Sequence, residues 1–257
     1  MVDIHSHILP GIDDGAKDWQ EAIDMAKSAE KNGIKSIVAT PHYQVVGYQT
    51  TKEQVIELTR QFNEKLQEKN IQVTIYPGHE IRISGNYLVN LIDGNLLTIN
   101  QNEKYVFLEL PYYEVPLYTE KLIYEILING YIPIIPHPER NMEIQESPDI
   151  IYNLVNIGAL TQITSGSILG LFGKEVYKFT LDLIESNIAH MLATDSHSAD
   201  GLRGFNLKEA YDRLEKFADS TTAAQFKSNS EKILLGKDLS YTEPKKVVRR
   251  KKLFGLF

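Results

Sequence analysis

Short apolar segments alternating with longer amphipathic ones constrain this chain more than any other feature. The short segments are residues 2–5 (VDIH), 34–39 (IKSIVA), 71–76 (IQVTIY), 104–110 (KYVFLEL), 131–135 (YIPII), 160–164 (LTQIT) and 189–193 (AHMLA). Their near-continuous apolar character suits strands buried on both faces of a parallel sheet. Between or after them, residues 18–32, 51–69, 117–129, 148–157, 174–187 and 206–217 carry apolar positions at helical spacing. The first of these stops at Asn32-Gly33, a helix-ending pair. Seven such β–α units predict a parallel α/β barrel or an open α/β sheet. The connection 84–103 is the least regular and reads as a short helix plus an extra strand around residues 97–99.

A chain of 257 residues suffices for one large domain, read here as residues 1–240 followed by a basic tail at 241–257. The absence of cysteine excludes disulfides, iron–sulfur clusters, a thiolate zinc site and a cysteine nucleophile. The net charge of −7 argues against nonspecific nucleic-acid binding, so no nucleic-acid partner is expected. No apolar run approaches the roughly 18 residues of a spanning helix. Asp3, His5 and His7 look functional and leave no room for a signal peptide, so a cytoplasmic location is expected. In the tail, Lys245, Lys246, Arg249, Arg250, Lys251 and Lys252 precede Leu253, Phe254, Gly255, Leu256 and Phe257, with no acid after Glu243. Such a sequence can dock at an anionic membrane surface or an acidic partner. The plainer reading is a solvated terminus.

The histidines carry the chemistry. Of the seven, at 5, 7, 42, 79, 137, 190 and 197, all but His190 fall at or just beyond the C-terminal end of an expected strand, as do Asp14, Glu80, Glu109 and Asp195. Active sites of α/β barrels and sheets assemble at that end. In extended backbone, residues i and i+2 point the same way, so His5-Ser6-His7 and Asp195-Ser196-His197 can each present two donors to one ion. Histidine with carboxylate suits Mn, Fe or Zn, and a carboxylate such as Glu80 can bridge two ions. His79 neighbours Glu80 and is expected to face away into packing; His190 opens a strand and is expected to be structural. Arg140 and Arg203 follow two of these motifs, and guanidinium groups beside metals suit phosphate oxygens. Gly11, Gly15, Gly166 and Gly170 are expected to permit tight loops over the mouth.

The motifs DIHSHILPGIDDG at 3–15, TPH at 40–42, GHEI at 78–81, LELP at 108–111, HPER at 137–140 and TDSH at 194–197 resemble the polymerase-and-histidinol-phosphatase (PHP) superfamily. Within it, the pattern is most similar to the CpsB/CapC-type bacterial protein-tyrosine phosphatases, from residue 3 to about residue 235. That resemblance implies a distorted (βα)7 TIM-like barrel and two or three bound ions, with Mn²⁺ first and Fe or Zn as alternatives. It implies His5, His7, Glu80 and Asp195 around one ion. Glu80, Glu109 and His137 would surround a second, and Asp14, His42 and His197 a third. Arg140 and Arg203 would bind phosphate, and Asp14 is also a candidate proton donor.

Three divalent cations against the four carboxylates of this set leave positive charge for a phosphomonoester dianion. Attack by a metal-bound hydroxide then needs no protein nucleophile, in keeping with the absent cysteine. By resemblance the substrate is phosphotyrosine on a bacterial tyrosine autokinase of capsule or exopolysaccharide synthesis, at the inner face of the membrane. Two other readings stay open: a phosphoesterase for a small ester such as histidinol phosphate, and a noncatalytic metal-binding partner of a kinase.

Overall fold

The structure is a computed structural model that describes residues 1–43, 45, 47, 48 and 50–248. The elements run β1 (Val2–Ser6), α1 (Trp19–Lys31), β2 (Ser36–Ala39), β3 (His42–Tyr43), α2 (Lys52–Glu68), β4 (Thr74–Pro77), β5 (Glu80–Ile81), α3 (Tyr87–Ile92) and β6 (Tyr105–Phe107). They continue with α4 (Thr119–Ile128), β7 (Ile132–Pro136), α5 (Met142–Glu146), α6 (Asp149–Ile157), β8 (Leu160–Thr164), α7 (Ser165–Ile168), α8 (Lys174–Glu185), β9 (Met191–Ala193), α9 (Leu207–Phe217) and α10 (Ser220–Leu234).

Every strand pairing is parallel, in the orders β1-β2-β4, β3-β5 and β6-β7-β8-β9. Two seams join these sheets into a ring. At one, Ser6 bridges Ser196, the His7 amide donates to Ser196 O at 2.8 Å and the Asp195 amide donates to His5 O at 2.9 Å. At the other, Arg82 bridges Glu109, whose amide donates to Ile81 O at 2.8 Å. The barrel expectation therefore holds over the open sheet. Two of the seven staves are broken: β2 continues as β3 past Pro41, and β4 continues as β5 past Pro77-Gly78. Proline cannot supply the ladder N–H there. A Cβ on Gly78 would lie 2.9 Å from Val38 Cγ1, so only glycine lets the second broken stave approach the first.

Alternate strand residues divide into two apolar layers. Ile4, Val38, Tyr105, Phe107, Ile134, Leu160, Met191 and Ala193 fill the barrel interior, joined from below by Ile99, Ile233 and Leu234. Ile37, Ile75, Val106, Ile135, Ile163 and Leu192 face the helices. The helices start where their caps dictate: Asp18 accepts from the Glu21 amide at 2.9 Å, and Thr51 with Gln54 forms a capping box on α2.

Three features differ from the sequence expectation. Residues 97–99 form no strand; Ile99 opens a 3-10 turn in which Asn100 takes φ 51. Ile99 plugs the barrel floor while Leu97 packs in the helix-facing layer, and Asn102 Nδ2 donates to Ile233 O at 2.7 Å. Helix α10 went unread because polar Asn229 and Ser230 share its buried face and dilute the periodicity. The chain beyond residue 240 also keeps touching the barrel. Asn187 Nδ2 donates to Glu243 O at 3.1 Å, the Lys245 amide donates to Ser186 O at 2.8 Å, and Lys246 lies 3.6 Å from Asp149. Arg249, Arg250, Lys251, Lys252 and the terminal Leu/Phe group lie outside the described residues.

His190 is structural, as expected. It is buried, its Nδ1 accepts from the Thr161 amide at 3.1 Å, and its ring meets Tyr241 edge-on at 5.1 Å. Burial pushes its pKa from 6.5 down to about 4. Above pH 6.5 the ring is neutral in both folded and unfolded chains. Below it, the unfolded chain takes up a proton that the folded chain refuses, so stability falls until about pH 4. The loss from this one group is about 3 kcal/mol. Urea titrations of His190→Asn against the parent should show a flatter stability profile between pH 6.5 and 4. Parallel profiles would contradict this account.

Candidate metal centre at the barrel mouth

All nine donors expected from the sequence converge at the C-terminal end of the strands. The irregular register of β1 between Asp3 and Ser6 leaves Ile4 in the interior cluster and still brings His5 against Phe107, centroids 4.9 Å apart. His137 and Asp195 end their strands in left-handed backbone, at φ 39 and φ 52. Non-glycine residues avoid this region unless the surroundings over-determine it, and such strain concentrates at functional sites.

Glu80 lies at the centre, fully enclosed. Its Oε2 is 3.5 Å from His5 Nε2, 3.3 Å from His7 Nε2 and 3.1 Å from His42 Nδ1, while its Oε1 is 2.8 Å from His137 Nε2. Asp195 Oδ1 is 3.6 Å from His5 Nε2 and 3.4 Å from His7 Nε2. Asp14 Oδ1 is 3.1 Å from His197 Nε2 and 3.6 Å from His42 Nε2. Three groups have donors close enough to share an ion: His5, His7 and Glu80; His42, Glu80 and Glu109; and His7, Asp14, His42 and His197. Their membership differs from the sets drawn from the resemblance. His42 faces two groups with its two ring nitrogens, and His137 reaches the centre through Glu80.

These residues fit divalent cations. Ligands at about 2.1 Å from an ion stand about 3.0–3.5 Å apart, and most separations above lie in or near that range, long for hydrogen bonds. His5 Nδ1 donates to Gln162 Oε1 at 2.8 Å, His7 Nδ1 to Asp13 Oδ2 at 2.7 Å, and His197 Nδ1 to Asp195 O at 2.9 Å. Each contact places the proton on Nδ1 and frees Nε2 as a ligand atom. His42 Nδ1 and His197 Nε2 are buried without a hydrogen-bond partner.

The electrostatics agree. Burial opposes protonation of His5, His7 and His42, yet the carboxylates outweigh it and leave all three pKa values raised. Glu109 goes the other way: burial and then the Glu80 charge push its pKa up to about 7, against the opposing Arg82. Burial, then Arg140, pushes the His137 pKa down to about 4, and burial, then His7, lowers that of His197, so protons gather on His5, His7, His42 and Glu109, where bound cations could take their place.

The sequence reading missed four supporting residues. Asp13 orients His7 and also receives the Gly15 amide at 3.0 Å. Gln162 orients His5. Arg82 grips Glu109 with two bonds, at 2.9 and 2.7 Å. Glu139 is buried beside Arg140 and accepts from the Thr164 amide and Ser167 Oγ at 2.9 and 2.6 Å. The need of each ligand histidine for an acceptor on its other nitrogen was a usable signal for Asp13; Arg82 and Glu139 lie within two residues of Glu80 and Arg140, and Gln162 is joined to the site only by the closed barrel. His79 faces outward as expected, its Nδ1 accepting from the Leu97 amide at 3.2 Å.

Residues 1–235 match the family described as capsular polysaccharide synthesis, CpsB/CapC. The chain is 43% identical over 257 residues to the tyrosine-protein phosphatase YwqE of Bacillus subtilis (strain 168), covering 100% of both chains. It is 28% identical over 242 residues to the tyrosine-protein phosphatase CpsB of Streptococcus pneumoniae, covering 91% of this chain and 98% of that one. A crystal structure from work on YwqE and CpsB, described there as unique metal-dependent tyrosine phosphatases, superposes with a TM-score of 0.94 at 42% identity, covering 97% of this chain and 100% of the other. A histidinol phosphate phosphatase from Lactococcus lactis shares the fold at 13% identity, with a TM-score of 0.54 over 94% and 96% of the two chains.

Two substitutions test the support around His7. A Cβ on Gly15 would stand 1.8 Å from His7 O, so Gly15→Ala must displace the His7 backbone. Asp13→Ala removes the acceptor that sets the His7 ring. Each should weaken metal retention about 10- to 100-fold, read by metal content after dialysis against a graded chelator. Retention equal to the parent would show that His7 is not held in this manner.

Proposed function

The chain belongs to the CpsB/CapC family of capsular polysaccharide synthesis, and from that premise we propose that it is a metal-dependent protein-tyrosine phosphatase. The observation that carries this reading is the convergence of nine imidazole and carboxylate donors, Glu80 at their centre, on one end of the barrel, with Arg140 and Arg203 beside Asp195. Full-length identity of 43% to a tyrosine phosphatase supports it independently.

We assign His5, His7, Asp14, His42, Glu80, Glu109, His137, Asp195 and His197 as the metal ligands, with Glu80 shared between ions. The donor chemistry favours Mn²⁺, with Fe or Zn as alternatives. Bound divalent ions supply Lewis acidity and a water made nucleophilic near neutral pH. The protein supplies the rest. Asp13 and Gln162 hold His7 and His5 in the tautomer that presents Nε2. Asp195 Oδ2 anchors Arg140 Nη1 at 2.9 Å, and Phe172 lies under that guanidinium at 5.4 Å. Arg203 Nη2 is 3.2 Å from both Asp195 oxygens and remains 38% exposed. The two guanidinium groups are thereby placed to receive phosphoryl oxygens and to balance charge as the ester bond breaks.

Asp14 is half-exposed; burial opposes its ionisation, but His197 and its neighbours hold its pKa low. An ionised Asp14 supports a ligand role over a proton-donor role. A tyrosyl leaving group, with a pKa of about 10, has less need of a donor than an alkoxide has. The substrate we infer is a phosphotyrosine protein, namely a bacterial tyrosine autokinase of capsule or exopolysaccharide synthesis, met in the cytoplasm at the membrane's inner face. Among the described residues no helix is long and apolar enough to cross a membrane, so contact with that surface would fall to the basic tail.

Chelation should abolish hydrolysis of a phosphotyrosyl peptide, and Mn²⁺ should restore it more fully than Zn²⁺. Arg140→Ala and Arg203→Ala should each lower kcat/KM by about 10²-fold. Run beside histidinol phosphate, the assay discriminates the two substrate classes. Preference for the metabolite would reassign the substrate, and activity that survives complete metal removal would refute the metal reading.

A further inference from the structure

Five exposed apolar side chains, unused by the chemistry above, lie on the segments that follow strands β6 to β9 at the end where the donors converge. Tyr112 and Tyr113 come from the loop after β6, Met142 and Leu171 from the segments after β7 and β8, and Leu202 from the loop after β9. Their exposures are 54%, 73%, 42%, 37% and 62%. Single exposed apolar residues are ordinary, but these five stand beside site residues in the chain. Tyr112 follows Glu109 by three positions, Met142 follows Arg140 by two, Leu202 precedes Arg203, and Leu171 precedes the Phe172 that supports Arg140.

The tyrosine loop is exposed in its side chains but tied down in its backbone. Asn141 Nδ2 donates to Pro111 O at 2.7 Å and to Glu114 O at 3.1 Å. The Met142 amide donates to Tyr112 O at 3.0 Å, and the Val115 amide donates to Glu143 Oε2 at 2.6 Å. The Tyr112 and Tyr113 rings meet edge to face, centroids 4.9 Å apart. Every one of these bonds joins the loop to the segment just after Arg140. An aromatic pair on a fixed backbone loses little entropy on binding, and tyrosine offers large contact area with few rotatable bonds.

We propose that this collar, with Tyr112 and Tyr113 as its principal members, receives the polypeptide flanking the phosphotyrosine of a protein substrate. The inference rests on the phosphatase reading and deepens it. With the phosphoryl group between Arg140 and Arg203, the phenyl spacer carries the substrate backbone outward to the height of the collar. A small phosphomonoester ends before reaching it. The collar thus favours a phosphorylated protein over a metabolite by apolar contact, separately from the charge that holds the phosphoryl group.

The test is steady-state kinetics of the Mn²⁺-loaded full chain carrying Tyr112→Ala with Tyr113→Ala, on a phosphotyrosyl peptide with apolar flanking residues and on p-nitrophenyl phosphate. The KM for the peptide should rise at least about fivefold more than that for the small ester, with kcat for both substrates moving together. The paired Tyr→Phe variant should restore most of the peptide KM. Equal KM changes on both substrates, or no change on either, would overturn the collar while leaving the phosphatase reading intact. A parent enzyme that hydrolyses neither substrate would overturn the phosphatase reading and the collar with it.

Discussion

Burial of the Glu80 carboxylate among His5, His7, His42 and His137 is the constraint on which the rest of the structure depends. A carboxylate removed from water is strongly destabilising unless positive charge or hydrogen bonds surround it. Here burial opposes ionisation, but four imidazoles drawn from three staves hold the Glu80 pKa well below the ordinary range. β1, β2–β3 and β4–β5 pair directly, but His137 on the second sheet reaches Glu80 only because the barrel closes at Ser6–Ser196 and Arg82–Glu109. The second closure places Glu109 beside Glu80, where two carboxylates cannot both ionise comfortably, and there burial and the neighbouring charge raise the Glu109 pKa. The barrel thus concentrates acid that it cannot neutralise by itself, which is the condition a cation site requires.

The same closure explains why the supporting contacts are so distant in sequence. Gln162 reaches His5 across 157 positions, and Thr194 Oγ1 donates to Asp3 Oδ2 at 2.5 Å across 191. Asp195 anchors both arginines, from a backbone conformation that few residues other than glycine adopt, and Asp14 also lies 3.9 Å from Arg203. A site built from strand ends, each end fixed by its neighbours, is more rigid than one built on free loops.

Much of the fold was legible because its signals are local. Strand β8 falls on the expected residues, and α1, α2, α4, α6 and α9 fall within about two residues of expectation. The misreadings arose where tertiary context overrides local pattern. Residues 97–99 carry two buried apolar side chains like a strand, but Leu97 packs in the helix-facing layer while Ile99 plugs the barrel floor. The buried face of α10 contains Asn229, whose side chain donates to His190 O at 2.8 Å, so burial there is not apolarity.

For the site, the sequence by itself determined which atoms could be ligands. The i, i+2 spacing of His5 with His7 is a property of extended backbone, and β–α alternation obliges strand ends to share one face; Asp195, expected to be extended like them, instead presents its carboxylate from left-handed backbone. Only the tertiary structure decided how the donors associate. It assigned Asp13 to orient His7 and Asp14 to face His197, although the two acids are adjacent and chemically alike. It turned the two nitrogens of His42 toward different neighbours, and it gave Glu109 an arginine partner. Such choices depend on distances between residues far apart in the chain, and those distances exist only once the seven staves have closed.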